Sequence, residues 1–267
     1  MNNIPLVIIH AGEQPWFKKI LELNMRTNEN LLLVGDNQSL PCKQFFHIRD
    51  FQNERRRFDP LYVHLNVTPQ PYELLCISRW FILLELMKKQ NINICFYADS
   101  DILMFSDIDS EWKKYNNCAL TLVHGCCGAS SFFTRNGLQE FCDFVVNVYN
   151  NKNGYDFEKI SSHYHIRRKH GLGGGVCDMT LFQYYAYEHH SDIGEMMHVI
   201  NDSTYDHSIN AADGYEFNGQ KVFNFRNKKP YCKNIRLNRD ILFNCIHLQG
   251  GGVEDKNKVF SIEKYIT

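Results

Sequence analysis

Residues 94–103 read Ile94-Cys95-Phe96-Tyr97-Ala98-Asp99-Ser100-Asp101-Ile102-Leu103, an apolar run broken by two aspartates around one serine. Short apolar runs bounded by turn-forming residues are typical of strands buried on both faces of a sheet. The longest helical pattern of the chain, Tyr72 to about Lys89, opens at the Pro69 and Pro71 pair and feeds directly into this strand. Upstream, Ile4 to His10 is a β-branched run ending in Ala11-Gly12, and a helical pattern from Pro15 to Asn24 puts Phe17, Ile20, Leu21 and Leu23 on one face. Leu31 to Val34 is a second continuous apolar run, stopped by Gly35-Asp36. Strands alternating with helices predict an α/β fold with a mainly parallel sheet.

The alternation continues through the run Cys118 to Val123, a strand-like Ser131 to Thr134, and a helix carrying Leu138, Phe141, Phe144, Val145 and Val148. From Asn151 to Gly175 it breaks into polar, histidine-containing and glycine-rich sequence, which reads as a mobile loop beside a site. A helix from Asp178 to about Glu188 and short strands follow. There is no internal repeat and no low-complexity tract.

At 267 residues, 44% hydrophobic and 22% charged, the chain can bury one large core or two small ones. Lys and Arg total 29 against 30 Asp and Glu, so no global field draws in nucleic acid, and any bound anion must be held locally. The apolar stretch Ile4 to Ile9 has no basic residue before it and reads as a first strand instead of a signal peptide. No segment approaches the roughly 20 apolar residues that span a bilayer. The expectation is a cytoplasmic protein without a transmembrane segment, compatible with peripheral membrane contact. Several of the cysteines (Cys76, Cys95, Cys118, Cys245) lie inside apolar runs and read as reduced, buried thiols, and the adjacent Cys126 and Cys127 do not have zinc-site spacing.

Asp99 and Asp101 stand at the carboxyl end of a predicted buried strand, the edge where open α/β sheets bind ligands. Read as an extended segment, their side chains point the same way and converge on one hard cation, Mn²⁺ or Mg²⁺. Two close carboxylates in an apolar setting are costly unless something positive sits between them. The bland reading is a polar loop after a strand. Arg79, with Leu75, Cys76, Ile82 and Leu86 as helical neighbours, lies on an apolar face and needs an anionic or carbonyl partner. That partner is either an internal carboxylate or a bound nucleotide. Near the C-terminus, Phe243 to Ile246 leads into His247-Leu248-Gln249-Gly250-Gly251-Gly252, where the imidazole is a candidate third metal ligand and the glycines let backbone approach a phosphate.

A strand followed by Asp99-Ser100-Asp101, with a late His247-Leu248-Gln249-Gly250, resembles the GT-A glycosyltransferases. The resemblance implies a Rossmann-like mixed sheet, mostly parallel and flanked by helices. In that family the aspartates and the C-terminal histidine jointly hold Mn²⁺ on a UDP-sugar, so Asp99, Asp101 and His247 become the metal ligands. His10-Ala11-Gly12 and Gly35-Asp36 correspond to nucleotide-binding loops, with Arg79, Asp99, Ser100 and Gly250 also on the donor. Gly173-Gly174-Gly175-Val176-Cys177-Asp178-Met179 matches the acceptor-side loop and helix start. The implied organisation is a single domain over 1–267, with 1–125 the nucleotide-binding part, 126–267 the acceptor-side part, and the mobile loop at about 151–175. Several relatives carry a lysine six residues after the histidine, whereas position 253 is Val and the nearest lysine is Lys256.

The implied activity is hexosyl-type transfer from a nucleotide-sugar, with a divalent cation stabilising the leaving diphosphate. The acceptor is a glycan, a lipid-linked sugar or a protein. Asp178 faces the sugar as the catalytic carboxylate, either deprotonating the acceptor or positioning substrate, or it simply caps its helix. The basic stretch His163 to His170 is either a solvated face or a lid. Two other readings stay open. Haloacid-dehalogenase-like phosphatases also place an Asp-x-Asp after an apolar strand, although Leu103 stands where they usually carry Thr or Val. A GT-A-fold protein that binds sugar without catalysis is the other.

Overall fold

The computed structural model describes residues 3–249 and 262–263. In chain order the elements are β1 (Leu6–His10), α1 (Phe17–Thr27), β2 (Leu31–Gly35), β3 (Gln44–His47), α2 (Arg55–Phe58), α3 (Gln70–Lys89), β4 (Ile94–Ala98) and β5 (Ile102–Met104). They continue with α4 (Ile108–Trp112), β6 (Leu120–Leu122), β7 (Ser130–Thr134), α5 (Arg135–Asn150), α6 (Tyr155–Lys169), α7 (Asp178–Glu188) and β8 (Ile193–Glu195). The last are β9 (Ser203–Thr204), β10 (Asn224–Arg226), β11 (Lys229–Asn234), β12 (Arg239–Phe243) and β13 (Cys245–His247).

A seven-stranded, mostly parallel sheet in the order β3-β2-β1-β4-β7-β6-β8 forms the centre. β1 lies between β2 and β4 and runs parallel to both, while β7 is antiparallel to β4 and β6. The uninterrupted apolar character of β1, β2 and β4 follows from burial on both faces. Leu6 and Ile8, Leu31 and Leu33, Phe96 and Ala98 join the core under α1, while Val7 and Ile9, Leu32 and Val34, Cys95 and Tyr97 join the core under α3 and α5. α3 buries Ile77, Trp80, Phe81, Ile82, Leu83, Leu84, Leu86 and Met87, an apolar surface nearly all round, as expected of a helix enclosed between sheet and neighbours. Among the described residues no helix is long and apolar enough to cross a membrane, and all of the cysteines are free thiols.

Two local readings of the sequence are corrected. The stretch read as a loop from Asn151 to Gly175 contains α6, a helix in which Ile160 is the buried residue. Its inner stripe is short, Phe157, Ile160 and Tyr164, and the polar and charged residues around it hide the period. The Asp99-Ser100-Asp101 segment is a turn closed by the Ile102 N–H donating to the Asp99 carbonyl at 3.1 Å, not an extended continuation of the strand. The turn is required because β4 belongs to the central sheet whereas β5 pairs with β13 in a separate two-stranded ladder. Asn24 fastens α1 to this ladder: its amide nitrogen donates to the Ile102 carbonyl and its oxygen accepts from the Met104 N–H, at 2.8 and 2.9 Å.

Candidate functional site

The turn after β4 carries both aspartates to the carboxyl edge of the sheet, and the β5–β13 ladder delivers the histidine. Ile102 lies opposite His247 in that antiparallel pair, and the Leu248 N–H donates to the Asp101 carbonyl at 3.0 Å. A carboxylate oxygen of Asp99, one of Asp101 and a ring nitrogen of His247 thereby come within 4.8 Å of one another. His247 Nε2 is 3.4 Å from Asp101 Oδ1, with the imidazole almost wholly buried. Two carboxylates and one imidazole form a donor set suited to Mn²⁺ or Mg²⁺.

The electrostatics agree with that suitability. Burial pushes the Asp99 carboxyl above its ordinary value against the pull of Arg79, and neighbouring Asp101 adds to the push. Burial alone would depress the His247 imidazole, but its bond to Asp101 and the charges of Asp99 and Asp206 outweigh it and hold it above its ordinary value. A cluster that holds on to protons in this way is one where a cation can replace them.

Arg79 spans the site. Nη1 donates to Asp99 Oδ1 and Nη2 to Asp178 Oδ2, each at 2.6 Å, so this one guanidinium joins the Asp-Ser-Asp turn to the start of α7. Its partner is therefore internal, and both carboxylates it holds are candidate site residues. Asp99 Oδ1 also accepts from the Tyr97 hydroxyl at 2.9 Å, and Asp178 Oδ2 accepts from Trp80 Nε1 at 3.1 Å. The N-cap of α7 is Cys177, not Asp178. Asp178 Oδ1 accepts the adjacent Met179 N–H at 2.9 Å, and its other oxygen is turned toward Arg79. Gly175 sits where a Cβ would come within 2.3 Å of the Leu65 carbonyl, a close approach that clamps the loop leading into α7.

On the other side of Asp99, a cavity of about 230 Å³ is lined by His10, Ala11, Arg79, Asp99, Ser100 and Asp101, together with Gln14, Trp16, Tyr72 and Cys76. Gly12 lines a neighbouring cavity that shares His10 and Gln14 with the first. The His10 ring, which lines the cavity, is stacked on Phe17 with centroids 3.7 Å apart. Asp36 lines neither cavity; both its oxygens accept from the Gly12 N–H, at 3.2 and 3.0 Å, bracing the β1–α1 loop at a glycine with φ +98°. Gly250 lies outside the described residues, as do Gly251, Gly252, Val253 and Lys256.

Tyr97, Trp80 and Tyr72 were not singled out from the sequence. Strand alternation signals Tyr97, two residues before Asp99, whereas Trp80 reads only as a core residue.

No family model matches this chain, and no curated protein matches it. Among solved structures it is similar to mouse xyloside xylosyltransferase 1 in its apo form, at 10% identity and a TM-score of 0.46 over 72% of this chain and 84% of that one. It is also similar to a glycosyltransferase involved in the glycosylation of the major capsid of PBCV-1, at 11% identity and a TM-score of 0.45 over 96% of this chain and 99% of that one. Both neighbours are glycosyltransferases.

Proposed function

We propose that this protein is a glycosyltransferase of the GT-A kind that moves a sugar from a nucleotide-sugar, a UDP-sugar by preference, to an acceptor hydroxyl. The observation that carries the reading is the convergence of Asp99, Asp101 and His247 beside a cavity at the carboxyl edge of β1 and β4. Asp101 and His247 would hold a divalent cation, Mn²⁺ or Mg²⁺, with Asp99 alongside. When bound, the cation supplies Lewis-acid neutralisation of the departing diphosphate.

The remaining chemistry belongs to side chains of the chain itself. His10 and Ala11, with Gln14, Trp16 and Tyr72, line the space offered to base and ribose, and Asp36 keeps the Gly12 loop in place. Arg79 holds Asp99 and Asp178 in a fixed relation, which would align the donor's diphosphate on the Asp99 side with its sugar on the Asp178 side. Asp178 acts on the sugar side. With Arg79, Trp80 and the Met179 N–H already fixing its carboxylate, it has lone pairs left to accept from a hydroxyl of the acceptor or of the transferred sugar. Residues 1–125 form the donor half and 126–267 the acceptor half of one domain.

The phosphatase reading requires Asp99 as a nucleophile, yet its Oδ1 is occupied by Arg79 and Tyr97. Thermal unfolding with a panel of nucleoside diphosphates, with and without Mn²⁺, tests the proposal. At a hundredfold excess over Kd a ligand adds about 2.7 kcal/mol, or roughly 5–10 °C in a chain of this size. A shift that needs both UDP and Mn²⁺ is expected. No metal-linked shift with any nucleotide would refute the donor assignment.

A further inference from the structure

His247 is gripped by one short segment of chain, residues 206–209. Asp206 Oδ2 accepts from the His247 backbone N–H at 2.9 Å, and the Ile209 N–H donates to the His247 carbonyl at 2.9 Å. The His207 carbonyl lies 2.8 Å from His247 Nδ1. A carbonyl oxygen can only accept, so Nδ1 must carry the proton in this contact, and a neutral ring then has its lone pair on Nε2. Nε2 is the nitrogen that faces Asp101. A metal-binding histidine needs this arrangement, in which an outer hydrogen bond selects the tautomer and aims the ring.

The segment is in turn held by one side chain. Lys221 Nζ donates to Asp206 Oδ1, to the Ser208 carbonyl and to Asp213 Oδ2, each at 2.7 Å. The Lys221 backbone N–H donates to the Ile209 carbonyl at 2.9 Å, so the lysine fastens the segment at both ends. Its side chain is 1% exposed and that of Asp206 is 0%. A buried ammonium is tolerated only when its donors are satisfied and its charge is matched, and Lys221 meets both conditions with three acceptors, two of them carboxylates. It touches none of the candidate ligands.

We propose that Lys221 is a positioning residue of the metal centre. Through Asp206 and the Ser208 carbonyl it holds residues 206–209 so that the His207 carbonyl keeps His247 in the tautomer whose Nε2 is free for the cation. This rests on the reading of Asp99, Asp101 and His247 as a cation site.

The test is Lys221→Met, with Mn²⁺ affinity measured by the electron paramagnetic resonance of the free ion. The His247 tautomer is read separately from ring ¹⁵N shifts of the cation-free protein at a pH alkaline enough to leave the ring neutral, assigned by their loss in His247→Ala. Leu138→Ala, a core truncation on α5, is the control for a merely structural loss. Wild-type and Leu138→Ala proteins are expected to bind Mn²⁺ alike and to show the Nδ1-protonated ring. Lys221→Met is expected to bind about 10–100-fold more weakly, as outer partners of metal ligands do on removal, and to lose that tautomer preference. Should Lys221→Met not fold, Lys221→Met/Asp206→Asn removes both buried charges together and is read the same way. Unchanged Mn²⁺ affinity and tautomer in the lysine variant, with wild-type binding intact, would overturn this inference while sparing the metal centre. Absence of Mn²⁺ binding by the wild-type protein would overturn both.

Discussion

Ile102 and His247 face each other across the β5–β13 ladder, one residue after Asp101, and this register alone brings an imidazole from near the C-terminus to within 3.4 Å of a carboxylate in the Asp-Ser-Asp turn. Side chains alternate along a strand, so a one-residue slip would turn the histidine to the other face. The candidate centre therefore depends on strand pairing as much as on the residues themselves.

His247→Ala removes the imidazole but leaves the backbone ladder intact. Mn²⁺ affinity is expected to fall by at least the roughly 10–100-fold seen for outer partners of metal ligands, and, because the buried ring also satisfies the His207 carbonyl, stability should fall by about 1–3 kcal/mol. Titration of free Mn²⁺ alongside a melting curve checks both parts.

Arg79→Met leaves Asp99 and Asp178 facing each other without their shared cation. Removing one partner of a buried ion pair costs about 3–5 kcal/mol. The side chain here is 18% exposed, so the lower end is expected, about 3 kcal/mol by the same measure. Denaturant unfolding measures it, and Arg79→Lys should recover only part of the loss, because an ammonium cannot span both carboxylates as the guanidinium fork does.

The expectations from sequence and the finished fold agree where burial leaves a period in the chain. β1, β2 and β4 were legible as apolar runs, α1 and α3 as helical patterns, and Asp99 and Asp101 as carboxylates at a strand end. α6 was not, because its stripe of Phe157, Ile160 and Tyr164 is short, buries only Ile160 fully and is set among polar and charged residues. The turn at Asp99–Asp101 was read as extended because the departure of β5 from the central sheet has no local signature. Arg79 was legible as a charge needing a partner, though not as the bridge between Asp99 and Asp178. Asp206 and Lys221 left no signal at all, since their pairing is fixed by loops that meet only in the folded chain.

Burial raises the Glu73 carboxyl, which sits at the start of α3 and accepts from the Thr68 hydroxyl at 2.6 Å. A carboxyl raised in the folded state contributes stability below its unfolded value of about 4.5 and loses it as pH rises through the folded value. Glu73→Gln cannot ionise and keeps an oxygen for Thr68. Its melting temperature should match the wild type in acid and exceed it increasingly toward neutral pH, as melting curves across that range would record.

Asp178→Asn keeps the shape of the carboxylate but alters the group proposed to act on the sugar. Turnover is expected to fall about 10²–10⁴-fold, the usual contribution of a positioned acid or base. UDP and Mn²⁺ binding, followed by thermal shift, should persist.

The most direct measurement is release of nucleoside diphosphate from a panel of nucleotide-sugars, with the protein first stripped by a chelator and then given Mn²⁺. The account predicts consumption of one UDP-sugar that stops on chelation, returns with Mn²⁺ and is absent in Asp101→Ala. Failure to consume any nucleotide-sugar with any divalent cation, or equal activity in Asp101→Ala, would contradict it.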